Sequence, residues 1–262
     1  MSARKAAAAP LAAYVLHSWD WSETSLIVEL FTRERGRVVV AAKGAKRPYS
    51  QLRPVLIPFQ RLQVQLGRTP ADESAEVHLL RTAERASGPP MPAGAALFAG
   101  FYLNELLLKL LARHDPHAGL FDAYAEAVAA LQGADDAGVQ LTLRSFELLL
   151  LRELGVLPEL DSVTLTVRAV DAAGLYSLHP EAGVVTAAGD DPGLPGSALA
   201  TIESALAGGD RAALRLAAAP VTAALRAPLR QVLHYHLGSP VLRTRQVMVD
   251  LQKLIDRETP RP

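Results

Sequence analysis

Ser25-Leu26-Ile27-Val28-Glu29-Leu30-Phe31-Thr32-Arg33-Glu34-Arg35-Gly36-Arg37-Val38-Val39-Val40-Ala41-Ala42 reads as two strands joined by a tight turn. Both flanks are rich in β-branched residues. Arg33-Glu34-Arg35-Gly36 supplies the polar turn, with a glycine free to take positive φ. Working outward, Ala13–Trp19 alternates tolerably and ends at the turn cluster Asp20-Trp21-Ser22-Glu23. A polar connection over residues 45–54 precedes a fourth strand at Ile57–Leu66, and a fifth follows at Ala75–Ala83. Five short strands with a long connection between the third and fourth predict an OB-fold barrel over residues 1–85.

Ser87-Gly88-Pro89-Pro90-Met91-Pro92 breaks regular structure, so residues 86–95 are expected to be a linker. Beyond it the apolar period changes to that of a helix. Leu97, Phe101, Asn104, Leu108 and Leu111 share one face, and Leu103, Leu106, Leu107 and Leu110 make the helix apolar nearly all round. Asp115-Pro116 is expected to cap a second helix running to Leu131, and Val139–Leu154 reads as a third, stopped by Gly155 and Pro158. Residues 160–193 lose the period and read as an irregular insertion with short β-pieces at Val163–Val167 and Gly183–Thr186. Three further helices are expected at Ala198–Ala207, Val221–Leu237 (bent by Pro228) and Val241–Ile255. The class is therefore α+β, a barrel followed by a mostly helical domain over residues 96–262.

Half of the 262 residues are apolar and 5% are aromatic, which suits packed helices better than an all-β chain. Zero cysteines exclude disulfides, thiol nucleophiles and thiolate metal sites. Arg4-Lys5 before an alanine-rich run superficially resembles a secretory leader, but Pro10 interrupts it and a strand follows. With no apolar run long enough to span a bilayer, the expectation is a cytoplasmic protein.

Charge is unevenly spread. Between Arg33 and Arg68 stand nine Lys or Arg against the single acid Glu34, a local +8 in a chain of formal charge zero. Such a run is expected to form one cationic surface that binds a polyanion, because phosphates neutralised by Lys or Arg release counterions. Candidate DNA-binding residues are Arg33, Arg35, Arg37, Lys43, Lys46, Arg47 and Arg53, with Tyr49 as a stacking ring. Trp19 and Trp21 flank a turn of the same domain and suit stacking or packing equally. Phosphate contacts position without specifying, so little sequence preference is expected.

His234-x-His236 and His114-x-x-His117 have the look of metal spacings. Residues i and i+2 of a helix face different sides, however, and Asp115-Pro116 marks a helix start. Neither pair is read as a ligand set. No Gly-x-Ser-x-Gly, phosphate-binding loop or His-Glu-x-x-His occurs, so neither cofactor nor catalytic residue is expected.

Several stretches resemble the RecO family of bacterial recombination mediators. They include Val15-Leu16-His17, Glu23-Thr24-Ser25-Leu26, Phe31-Thr32-x-Glu34-x-Gly36 and Lys43-Gly44-Ala45-Lys46-Arg47. Further along come Tyr102-Leu103-Asn104-Glu105-Leu106-Leu107, Leu120-Phe121, Arg144-x-Phe146-Glu147-x-Leu149-Leu150, Leu154-Gly155, Tyr235-His236-Leu237-Gly238 and Leu242-Arg243-x-Arg245. The resemblance implies a DNA repair and recombination protein without turnover. It would bind single- and double-stranded DNA and anneal complementary strands, including those coated by the single-stranded DNA-binding protein (SSB). It also implies recognition of the acidic, apolar C-terminal tail of SSB, cooperation with RecR in loading RecA, and association with the nucleoid during repair. Arg113, Arg144, Arg152, Arg226 and Arg230 are the candidates for that tail, with Arg243 and Arg245 beside them. Some members carry a four-cysteine zinc module where this chain has Leu160–Val185, so packing must hold that region here. Two other readings fit the residues: an OB-fold module for RNA, and an adaptor whose basic surface meets only an acidic protein.

Overall fold

Alternation along Leu26–Thr32 (β2) and Gly36–Ala42 (β3) places Val28, Leu30, Val38, Val40 and Ala42 on one side of a hairpin, all buried together. In the computed structural model, which describes residues 9–67, 76–88, 90–238, 242–244 and 247, that side is the interior of a barrel. Leu11–Asp20 (β1), Leu62–Leu66 (β4) and Val77–Arg85 (β5) complete it in the order β1-β2-β3-β5-β4, closed by β1 against β4. β3 and β5 run parallel and the other neighbours antiparallel, so the barrel is the OB-like one expected. Gly36, at φ +64, ends the hairpin turn; a β-carbon there would lie 1.8 Å from the Asp115 carbonyl oxygen. No side chain fits.

The fourth strand is shorter than expected, because residues 57–61 are irregular and Phe59 takes φ +66 with its ring buried. The end of the expected fifth strand before Glu76 lies outside the described residues.

Seventeen elements are described, and after the barrel come α1 (Ala95–Leu110), α2 (Ala118–Ala130), α3 (Asp136–Glu153), α4 (Gly196–Ala207), α5 (Arg211–Ala218) and α6 (Thr222–Leu237). The chain divides into two compact units, and the division passes through α1. One holds the residues up to Ala93 together with Asn104–Gln132; the other holds Gly94–Leu103 together with the residues from Gly133 onward.

In the first unit, aromatic side chains on the outer face of β1 and β2 receive α2. Tyr14 and Phe31 each lie 5.4 Å, centroid to centroid, from Phe121, and Tyr14 lies 5.0 Å from Tyr124. A bulge between Val15 and His17 turns the backbone at Leu16 out of register. Asn104 catches the freed carbonyl, donating to Leu16 O at 3.0 Å while accepting from Tyr124 Oη at 2.6 Å. Burial pushes the Tyr124 phenol well above its ordinary pKa, which keeps this donor protonated.

Asp115 does not cap α2. The helix starts at Ala118 after His117, and the Asp115 carboxylate lies instead 3.4 Å from His117 Nε2. A capping side chain must accept from the second or third helical amide, and Asp115 stands too early for that.

In the second unit α3 begins before Val139, because Asp135 accepts from the Gly138 amide at 2.8 Å. α5, unanticipated, is opened in the same way by Asp210 accepting from Ala213 N at 2.9 Å. The insertion forms two small sheets: β6 (Ser162–Val163) with β7 (Arg168–Ala169), and β8 (Leu175–His179) between β9 (Gly183–Thr186) and β10 (Leu194–Pro195). Leu178, Val184 and Leu194 are buried, and Tyr176 Oη accepts from Asp171 N at 2.7 Å. Thr164 exchanges two 2.9 Å bonds with Val184, tying the small sheets together. These contacts hold the region without cysteines. The helix expected over Val241–Ile255 lies largely outside the described residues. No helix among the described residues is long and apolar enough to cross a membrane.

Candidate nucleic-acid interface

The basic run does not stay in one place. β3 carries Arg37 at its start and delivers Lys43 just past its end, so its length, about 3.3 Å per residue over seven residues, separates the two by roughly 20 Å. Arg33 and Arg35 therefore belong to one end of the barrel, and Lys43, Lys46, Arg47, Tyr49 and Arg53 to the other.

At the first end, cations serve the fold. Arg37 is buried; its guanidinium pairs with buried Glu29 (Nε to Oε1 2.9 Å) and donates from Nη1 to the Leu108 and Leu111 carbonyls, the latter at 2.6 Å. It thereby satisfies carbonyls that the end of α1 leaves without amides. Arg37 is accordingly withdrawn from the surface and cannot reach a phosphate. Arg33 forms a two-pronged pair with Asp122 of α2, both contacts 3.0 Å, with the two side chains partly exposed. Arg35 is exposed and carries no ion pair among the described residues.

At the second end, one cation is tied down and three carry no ion pair among the described residues. Turn residues 43–47 are fastened to the β1–β2 turn: Lys46 N donates to Thr24 O at 3.0 Å, and Lys46 Nζ reaches Ser22 O at 3.1 Å and Asp20 Oδ2 at 3.1 Å. Lys46 therefore anchors the turn. Gly44, at φ +73, lets the chain reverse beneath the Arg47 side chain. Lys43, Arg47 and Arg53 are exposed and carry no ion pair among the described residues, and Tyr49 is 95% exposed. Three cations and a bare phenol ring on one connection are what a sequence-tolerant contact with a nucleic-acid strand requires.

The five arginines considered for an acidic peptide separate likewise. Arg113, in the first unit, lies 3.4 Å from Glu29 and 3.9 Å from Glu76. In the second, Arg144 is buried and donates to Glu147 at 2.7 Å, while Arg152 donates to Glu203 at 2.5 Å and to Pro158 O at 3.3 Å. All three are occupied within the fold. Arg226 and Arg230 are exposed on α6. Arg226 edges a groove of about 570 Å³ lined by Gly138 and Leu141 of α3, by Ala219 and Pro220, and by Thr222 and Ala223 of α6.

The same unit holds a buried carboxylate. Glu147 accepts from Arg144 and from Tyr102 Oη, each at 2.7 Å. Burial raises its pKa to about 6, against the opposing pulls of Arg144, Tyr102 and Arg226. The pairing Arg144-x-x-Glu147 is visible as i, i+3 spacing, but only the packing shows it to be internal.

A closed OB-like barrel joined to a helical region, with an exposed basic connection on the barrel, defines an OB-barrel protein by its architecture. Comparison with known proteins narrows that class. The descriptions "Recombination protein O N terminal" and "Recombination protein O C terminal" match residues 10–83 and 91–246 respectively. The chain is 51% identical over 267 residues to a protein of Acidovorax ebreus named DNA repair protein RecO, covering 97% of this chain and all of that one. Proteins of the same name from Verminephrobacter eiseniae and Delftia acidovorans are 51% and 50% identical, each over 92% of this chain and 96% of theirs. The chain belongs to the RecO family.

Proposed function

We propose that this chain is a non-catalytic DNA-repair protein that binds DNA through the Lys43–Arg53 connection and anneals complementary strands, including SSB-coated ones. The observation that carries the reading is the set Lys43, Arg47 and Arg53, exposed without ion pairs among the described residues, beside the 95% exposed Tyr49. Their charge offsets repulsion between two phosphate backbones, and base pairing supplies the driving force. Arg35 can extend the contact from the other end of the barrel, whereas Arg33 must first give up Asp122.

Docking of the SSB tail is assigned to the groove edged by Arg226, whose apolar lining and exposed guanidinium suit an acidic, apolar chain end. Holding SSB there tethers the coated strand to the same chain that carries the basic connection. Cooperation with RecR and delivery of the strand to RecA complete the reading, and they rest on family membership.

The test is a titration of fluorescent single-stranded and duplex DNA across a salt series. Each phosphate neutralised contributes about −0.7 (single strand) to −0.9 (duplex) to the slope of log affinity against log salt. A steep slope that Lys43→Glu and Arg47→Glu make shallower is expected; a flat response would contradict the reading.

A further inference from the structure

Among the described residues, only part of the outer face of the barrel is covered. Around Tyr14 and Phe31 it receives α2, and around Glu29 and Arg37 the end of α1. One step further along the strands, Trp19, Ile27, Ala41 and Leu79 stand directly opposite one another on β1, β2, β3 and β5. This apolar row crosses four strands, and among the described residues its two ends stay open: Trp19 is 44% exposed and Leu79 40%. Trp21, 58% exposed, and Val77, 45% exposed, extend it. Single exposed apolar side chains are ordinary, but four large ones together are not.

The centre of this face is a depression of about 520 Å³ lined by Trp21, Ile27, Ala41, Val77, Leu79 and Lys43, with His78 beneath. Its occupant is indicated by its rim. Lys43 is part of the lining, and the same turn carries Arg47; Lys46, by its bonds to Ser22, Thr24 and Asp20, fixes this basic turn against the loop that bears Trp21. An exposed indole within an apolar hollow, with unpaired cations at the edge, complements a flat base attached to a phosphate chain. His78 is buried, neither ring nitrogen has a hydrogen-bond partner, and burial, His114 and Arg35 lower its pKa; the floor thus adds no positive charge.

We propose that the Trp21 hollow receives an unstacked nucleobase, with Trp21 as the stacking ring and Lys43 on the adjoining phosphate, and so gives the barrel a preference for single strands. A duplex cannot fill the hollow, because its bases face one another. This inference rests on the DNA-binding reading above and adds to it a base-binding residue and a strand preference.

The chain has two tryptophans, so Trp19→Phe leaves Trp21 as the sole indole reporter. That variant is titrated with a labelled oligothymidylate, a duplex of equal length and an oligomer of abasic sugar-phosphate, following anisotropy for binding and indole emission for stacking. The expected result is saturable quenching by oligothymidylate alone, while the other two bind without quenching. Trp21→Ala should then weaken oligothymidylate binding roughly ten-fold, within the range of about 1–3 kcal/mol per stacked base, and leave duplex affinity unchanged. Binding of oligothymidylate without quenching, quenching by the abasic oligomer, or an unaltered affinity in Trp21→Ala would each overturn the inference while leaving the basic connection intact. Absence of binding to every probe would overturn both.

Discussion

Arg37 and Glu29, on adjacent strands of the barrel hairpin, form a buried ion pair, with Arg37 Nε 2.9 Å from Glu29 Oε1. Neither partner is idle elsewhere. The same guanidinium holds carbonyls at the end of α1, and the same carboxylate faces Arg113 at 3.4 Å. An arginine in the middle of a basic run has thus become the joint between strand and helix ends of the first unit.

Removing it should be costly. Breaking a buried pair from one side costs about 3–5 kcal/mol, and the half-exposed Arg113 beside Glu29 offsets only part of that. Arg37→Ala is therefore expected to lower the urea midpoint strongly, while DNA affinity measured on the folded protein stays near wild type. A stable Arg37→Ala protein with lost DNA affinity would reverse the assignment.

The free turn should behave oppositely. Lys43→Glu with Arg47→Glu is expected to keep the unfolding free energy within about 0.5 kcal/mol of wild type, as surface changes do. It should also reduce DNA affinity and flatten its salt dependence by about one unit of slope for each phosphate no longer neutralised. Arg33→Ala, whose charge is already met by Asp122, should change the slope little.

Asn104 offers a test of the bulge. Asn104→Leu keeps the apolar volume but strands the Leu16 carbonyl and the Tyr124 hydroxyl, both buried. The expected loss is about 1–3 kcal/mol, read from urea unfolding. A neutral outcome would show that the bulge finds another donor.

Glu147 predicts a pH dependence with a definite sign. Its pKa rises from 4.5 in the unfolded chain to about 6 in the fold, so the folded state holds the proton more tightly. The group adds no penalty below about pH 4.5; its contribution to stability falls as pH rises through 6 and stays reduced above it. Unfolding free energies of wild type minus those of Glu147→Gln should fall across that window. A rising difference would mean that the Arg144 pair outweighs burial.

Local signals carried much of the fold. Alternation in Leu26–Thr32 and Arg37–Ala42, the polar turn with Gly36, and the apolar run of α1 each act within a few residues, and each element formed where its pattern lay. Boundaries set by a single capping bond were harder: α3 starts at Asp136 because Asp135 accepts an amide, and Asp115 stands two residues before His117, the cap position of α2. The site was less legible. Arg33, Arg35, Arg37 and Lys43 look alike as residue types, and their fates depend on which acids the fold brings beside them. Asp122 lies 89 residues from Arg33, a separation that no local pattern reports. Trp21 gave a weaker signal than Tyr49, because an indole beside a turn packs as often as it projects; only the folded chain shows that it projects, 58% exposed.

The most direct test of the account is the annealing rate of two complementary strands precoated with SSB, measured with wild type and with the Lys43→Glu, Arg47→Glu protein. A parallel arm uses SSB lacking its acidic tail. The account predicts acceleration by wild type that the double variant loses and the tail-less SSB abolishes. Equal acceleration by both proteins, or none by folded wild type, would contradict it.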